Sequence, residues 1–513
     1  MPAVAVAASN RLAAEAGRQL ADLGGNAVDA AVAAALVSTC TEPGVCSLAG
    51  GAYLTVVAPR QPAASIDAQV EMPGRDLPRD LFERGLWEVT TDYAGGTTTV
   101  IGHGSVATPG ALAGLAEAHR RWGQAPWRDI VEPAIVAARD GFPLGVSNHH
   151  YLEFVHEVVY GWHPPSHAVI HDADGELVPA GATIRLPELA DTLAAIASEG
   201  PDLLYRGELG AMIAEDVAEH DGILTRADLE AYEVDLRPAR NVQMHGWTIA
   251  VPPPPSIGGA TLGAALLLLG ARPGKGGWRP DDIRRQIEVQ AAVITRRAGR
   301  LDVAEDLRDQ AEQFLADAAD GDLARFRTSP STIHVSAAGA DGLAVAITSS
   351  AGYGSGAMPP GTGLWLNNCL GELELNRRGI HALAPGTRLP SNMSPTVVTG
   401  HGQTLAVGSP GADRITSALL QTIAGFVHGG MGLGAAIAHP RAHVSLDAEG
   451  APVVSHEEDL DPDGLDDLPW PTRAFPPHSM SFGGVGAALR KADGQLQAGS
   501  DPRRDGATTP DPM

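Results

Sequence analysis

The chain has 513 residues and 44% apolar content, enough to bury a large core. Its 61 acidic residues against 36 basic ones, a formal charge of −25, argue against a nucleic-acid or anionic-membrane surface and favour a soluble protein. Three cysteines, Cys40, Cys46 and Cys369, cannot build a disulfide framework for a chain this long, and none stands in a CxxC pair, so a reducing interior is expected.

The first residues up to Ala8 are apolar without a positive stretch and read as a strand rather than a signal peptide. Ser9-Asn10 precede Arg11 to Leu23, where Leu12, Ala13, Ala16, Leu20 and Leu23 recur at helical spacing before Gly24-Gly25 stops the helix. Asn26 then caps a second apolar helix to Val37. The histidines between His149 and His171 lack an HExxH pattern and a cysteine partner, so they are expected to be solvated loop residues. The apolar run Ala260 to Ala271 is too short for a bilayer, which needs about 20 residues. From Arg272 to Pro330 the sequence is polar and largely helical, amphipathic between Ile287 and Leu315, with Thr328-Ser-Pro330 as its breaker.

Next comes a strand. Thr332, His334 and Ser336 point to one side and Ile333, Val335 and Ala337 to the other. A threonine at the head of a strand can serve as a nucleophile if the bond between Ser331 and Thr332 is cut, because the freed α-amino group is a base adjoining the hydroxyl on the same residue. Such an amine titrates near pH 8, roughly, and is partly neutral in a cell. Taken alone, Thr332 reads first as an ordinary β-branched strand residue, and its context along the chain overturns that reading. Gly352 to Gly356 is glycine-rich but lacks the Gly-Lys-Ser/Thr ending of a phosphate loop, and reads as a turn. Ser409 to Leu420 reads as a tight turn opening a helix, whose N-terminal amides suit a developing negative charge. The residues from Arg503 to Met513 have the Pro, Gly, Asp and Thr content of a disordered end.

Several motifs decide for chemistry. Ala5 to Gly17, Gly24 to Ala31, Thr108-Pro-Gly110, Glu132-Pro-Ala134, Ala138 to Gly141, Leu224 to Tyr232, Pro252 to Gly259, Asp341 to Thr348, Gly361 to Asn368, Leu389 to Pro395, Gly408 to Arg414 and Gly499 to Arg503 follow one another along the chain. In that order they resemble the γ-glutamyltransferase family. The resemblance implies an α+β fold, the four-layer αββα sandwich of N-terminal-nucleophile hydrolases, as one domain in two segments, 1–331 and 332–513, which form a heterodimer after self-cleavage. It makes Thr332 the nucleophile, Ser350 the hydroxyl that orients it, and Gly411 and Ala412 the oxyanion amides. Asp501-Pro-Arg503 matches a structural turn. Neither cofactor nor metal is implied. Many bacterial relatives are exported, and the missing signal here points to the cytoplasm.

Substrate binding departs from the family pattern. The family's arginine, which grips a glutamyl α-carboxylate just before a glutamate, is replaced by Val70 before Glu71 in Asp67 to Pro73, or by Gln69 if the segment is anchored on Asp67. Neither can make a bidentate pair with a carboxylate. The family's amine-holding aspartate corresponds to Glu372 in Asn367-Asn-Cys-Leu-Gly-Glu372, and its paired serines to Ser391-Asn392. The expected protein is a self-processing threonine hydrolase with altered substrate choice, acting on a small molecule through an amide or C–C bond in a biosynthetic pathway. Glutathione-type γ-glutamyl transfer is the alternative, and an unprocessed binding protein on the same fold is a third.

Overall fold

The computed structural model describes residues 3–92, 96–270, 278–320, 332–411, 413–447 and 449–510. Ser331, Ala412 and the breaker Thr328-Ser-Pro330 lie outside the described residues. At the centre are two antiparallel sheets. The first has seven strands in the order Ala507–Thr509, Val4–Ala8, Ile333–Gly339, Ala344–Ser350, Gly51–Val57, Ala64–Ala68 and Asp235–Pro238. The second has six: Leu496–Ser500, Gly486–Arg490, Gln403–Gly408, Thr396–Gly400, Trp247–Val251 and Arg240–Met244. Strands from both sides of residue 331 contribute to each sheet.

The layers follow from side-chain size. Between the sheets the core is mostly alanine, Ala5, Ala338, Ala344, Ala346, Ala406, Ala488 and Ala498, with Val397 and Leu496. On the outer face of the first sheet, Val335, Ala337, Val345 and Ile347 pack with the helices Arg11–Asp22 and Ala27–Thr41. The second helix is buried along its whole length, which is why its sequence is apolar all round. On the far side, the helices Ile257–Leu269, Pro280–Ala298, Leu307–Asp320 and Arg414–Val427 cover the second sheet. The result is the expected αββα order.

Local signals explain where helices begin. Asn10 caps the first helix through the Ala13 amide, and Asn26 with Asp29 forms a capping box on the second. The amphipathic stretch expected from Ile287 to Leu315 is two helices, because Gly299 and the turn that follows break the ladder before Leu307. The disordered end expected from Arg503 to Met513 is corrected as far as residue 510, the last described: Arg503 is buried in an ion-pair network, and Ala507–Thr509 adds an edge strand beside Val6 to Ala8. The three cysteines are free and buried. Among the described residues no helix is long and apolar enough to cross a membrane.

Candidate active site

Thr332 stands just before the central strand Ile333–Gly339, which pairs with Val4–Ala8 on one side and Ala344–Ser350 on the other. The register pairs Ile333 with Ser349, so extending it by one residue sets Thr332 opposite Ser350. Thr332 is 6% exposed. It lines a cavity of about 70 Å³ together with His334, Glu42, Gly411, Asp501 and Gly486, among others, which is large enough for water to reach Thr332.

Directly below Thr332, the alternation of the strand turns His334 and Ser336 toward the second sheet. Ser336 Oγ donates to the Gly486 carbonyl (3.3 Å). It therefore accepts from His334 Nε2–H (2.7 Å), and His334 Nδ1 accepts from the Thr348 hydroxyl (2.9 Å). This order satisfies every donor with a neutral ring. Burial, against a weaker backbone hydrogen bond, pushes the His334 pKa down to about 3, so the imidazole stays neutral at ordinary pH. Glycine is required opposite it, since a Cβ on Gly408 would lie 2.2 Å from the ring. His334 is a strut between the sheets.

The turn at the start of helix Arg414–Val427 brings Gly411 into the same cavity. Gly411 has φ of +110°, a conformation that favours glycine. The turn is anchored on both sides. Asp413 Oδ2 lies 3.1 Å from His443 Nε2, and His443 Nδ1 is 2.9 Å from Ser417 Oγ. The order matches that of a serine nucleophile triad, yet Ser417 Oγ donates to the Arg414 carbonyl (3.1 Å) and does not line the cavity beside Thr332, so the set braces the turn. Ser409 Oγ accepts from the Gly484 amide (3.0 Å) and ties the turn to the neighbouring loop.

Ser350 Oγ accepts from the Gly352 amide (3.0 Å), and a Cβ on Gly352 would meet Asn368 Oδ1 at 2.4 Å and Glu372 Oε1 at 3.3 Å. Glu372 thus approaches the turn that follows Ser350. Burial first, and then the neighbouring Glu374 carboxylate, hold the Glu372 pKa well above the ordinary range. Glu374, which accepts from Tyr353 OH (3.0 Å), is pushed up by burial to about 7. Asn367 and Asn368 use their side chains on backbone groups of Ala49, Ala107, Tyr353 and Val100, which fixes the loop carrying Glu372.

Val70, Glu71, Ser391 and Asn392 form a neighbouring group. Residues 387 to 389 run beside 70 to 72, with Met72 N bonded to Thr387 O (2.8 Å) and Leu389 N to Val70 O (3.0 Å). Val70 is fully buried among Met72, Ala107, Leu370 and Leu389. Ser391 and Asn392 abut the start of helix Ile257–Leu269. There a Cβ on Gly258 would lie 2.1 Å from the Asn392 carbonyl, and Ser256 Oγ donates to Met393 O (3.2 Å). None of Glu372, Ser391, Asn392, Val70 or Glu71 lines the cavity beside Thr332.

Several functional neighbours carried no spacing signal. Arg388 reaches Glu71 Oε1 (2.5 Å) from 317 residues away, approaches Asp67 (3.4 Å) and lies over the Tyr232 ring. Behind the cavity, Arg441 pairs with Asp501 (2.7 Å), while Arg503 pairs with Asp501 (3.0 Å) and Glu457. Glu42, held by Asn10 (2.8 Å), faces the cavity beside Thr332, and burial raises its pKa to about 7.

Known proteins resemble this chain over most of its length. The family model described as gamma-glutamyltranspeptidase matches residues 13–510. Glutathione hydrolase 5 proenzyme of Mus musculus is 30% identical over 486 residues, 86% of this chain and 81% of its own length. Acylase ACY 1 proenzyme of Pseudomonas sp. (strain V22) is 29% identical over 469 residues, 85% of this chain and 81% of its own. The crystal structure of a cephalosporin acylase from Bacillus halodurans superposes with a TM-score of 0.81 at 23% identity, covering 99% of this chain and 96% of that one, and so shares the fold.

Proposed function

Because the chain belongs to the gamma-glutamyltranspeptidase family of N-terminal-nucleophile hydrolases, we propose that it cleaves itself before Thr332 and then hydrolyses a small molecule whose acyl group is not γ-glutamyl. In the processing step Thr332 Oγ attacks the Ser331 carbonyl carbon and the Thr332 nitrogen leaves as the amine. Water then hydrolyses the ester, releasing the Ser331 carboxylate and restoring the hydroxyl. In turnover the α-amine takes the hydroxyl proton as Oγ attacks the substrate carbonyl, with Ser350 orienting the hydroxyl. The amides of Gly411 and, by family resemblance, Ala412 serve as donors to the oxyanion, the leaving group departs with the proton, and water frees the acyl group.

The observation that carries the altered substrate choice is Val70, an apolar side chain packed into a core where a carboxylate clamp would need a cation. The nearby guanidinium of Arg388 is already committed to Glu71 and Asp67. Relatives named both glutathione hydrolase and acylase support a family tolerant of different acyl groups. Glu372, Ser391 and Asn392 are the polar groups assigned to the substrate. The Leu370 to Asn376 stretch and Ser391-Asn392-Met393 resemble cytoplasmic relatives of antibiotic pathways, which favours a biosynthetic role on an amide or a C–C bond.

Arg388 also supports a second reading, in which it releases Glu71 and clamps a γ-glutamyl carboxylate in the manner of a glutathione hydrolase. Assay of a chromogenic γ-glutamyl anilide beside a standard family member separates the two. A missing charge-assisted contact of about 2 to 4 kcal/mol lowers kcat/KM roughly 30- to 1,000-fold. Equal values, lost in Arg388→Met, establish the second reading and overturn the first.

A further inference from the structure

Away from Thr332, the turn His103–Ser105 meets the helix Glu208–Glu219 and the His220 that ends it. His103 is 2% exposed, and its Nε2 lies 3.3 Å from Asp216 Oδ2. Among the described residues neither of these two buried atoms has a hydrogen-bond partner. An imidazole nitrogen and a carboxylate oxygen that lie this close without a hydrogen bond between them are both open to a third partner. The His220 ring stacks on His103 with centroids 4.3 Å apart and 12° between planes. Its Nδ1 lies 2.8 Å from the Asp216 carbonyl, which can only accept, so Nδ1 carries the proton and Nε2 keeps the lone pair. Such a second hydrogen bond characteristically fixes the tautomer of a metal-binding histidine.

We propose that His103, Asp216 and His220 bind a divalent transition-metal ion, zinc being the best fit. One donor atom from each lies within 4.8 Å of the other two. Bonds of about 2.0 to 2.1 Å to a tetrahedral zinc put neighbouring donors about 3.3 Å apart, which is the His103–Asp216 separation. His220 now stacks nearly parallel to His103, so its Nε2 lone pair reaches the ion only when the ring, 51% exposed, swings out of that stack. Two imidazoles and one carboxylate suit zinc, cobalt or nickel, whereas calcium and magnesium take oxygen donors. Water or His163, whose ring lies 6.1 Å from that of His103, is available for the fourth position. The ion would pin the turn after the hairpin Trp87–Thr91 and Thr97–Ile101 to the end of a helix, a structural role separate from the nucleophile.

The test uses the full-length chain without a histidine tag, stripped with chelator and titrated with Co²⁺ and then Zn²⁺. One equivalent of Co²⁺ should give the intense visible d–d bands of a tetrahedral site, Zn²⁺ should displace it, and Zn²⁺ should raise the thermal midpoint. His220→Ala and Asp216→Asn should each weaken Co²⁺ binding at least about tenfold while keeping a cooperative unfolding transition. His220 is at the surface, so its loss leaves the core intact. No stoichiometric Co²⁺ band overturns the proposal. An unchanged affinity in both variants does so too, moving the ion elsewhere, for instance to His156, His167 and His171.

Discussion

His334 and Glu42 make opposite pH demands on the folded chain. His334 has its pKa lowered by burial to about 3, so its contribution to stability is complete above pH 6.5 and is lost as pH falls toward 3. A displacement of that size is worth at most about 5 kcal/mol. Glu42, raised by burial to about 7, contributes fully below pH 4.5 and loses that contribution as pH rises through 7. Denaturant unfolding across this range should show His334→Gln flattening the acid limb and Glu42→Gln flattening the decline toward neutrality. Parallel curves for wild type and variants would refute the assignment. Burial, and after it Glu374, hold the Glu372 pKa well above the ordinary range; if this carboxyl binds a substrate amine as proposed, it must ionise to do so, and KM should fall as pH rises. In Glu372→Gln, KM should rise about tenfold or more and lose its pH dependence, with self-cleavage unchanged on a denaturing gel. Thr332→Ala should remain one chain and inactive.

Individual elements show what was legible and what was not. The strand at Thr332, the caps at Asn10 and Asn26 and the turn before helix Arg414–Val427 were readable because each is encoded by neighbours a few residues apart. The break after Gly299 was missed because the charged helix surface continues in pattern across it. Compositional bias toward Pro, Gly and Asp made the C-terminal segment look disordered, whereas Arg503 is held by partners 46 residues away. The clustering of Arg388 with Glu71, and of His443 with Asp413, depends on loops brought together only by the sheets. Removing one partner from the Arg441, Asp501, Arg503 and Glu457 network leaves a buried charge uncompensated, so Arg503→Met should destabilise by about 3 to 5 kcal/mol in denaturant titration. A change under about 1 kcal/mol would show that the network is solvated.

For the whole molecule, the segments on either side of residue 331 are interleaved in both sheets. Cutting there leaves no pair of halves that can part without opening two sheets and the alanine layer between them. The cleaved protein should therefore unfold in one transition. Fragments separated in denaturant should regain activity only when refolded together.

A newly made chain end is usually the most restless part of a protein, free to fray and open to exopeptidases. Here that end would adjoin a strand enclosed by neighbours on both sides, with the amine one residue before a continuous ladder. Its position would thus be set by cross-strand bonds, with no need for the peptide link that made it. Hydrogen exchange at Val335 to Ala338 should be as slow after the cut as in the uncut Thr332→Ala chain, and an aminopeptidase should fail to trim Thr332. The enzyme would then keep its catalytic base for as long as the sheet holds.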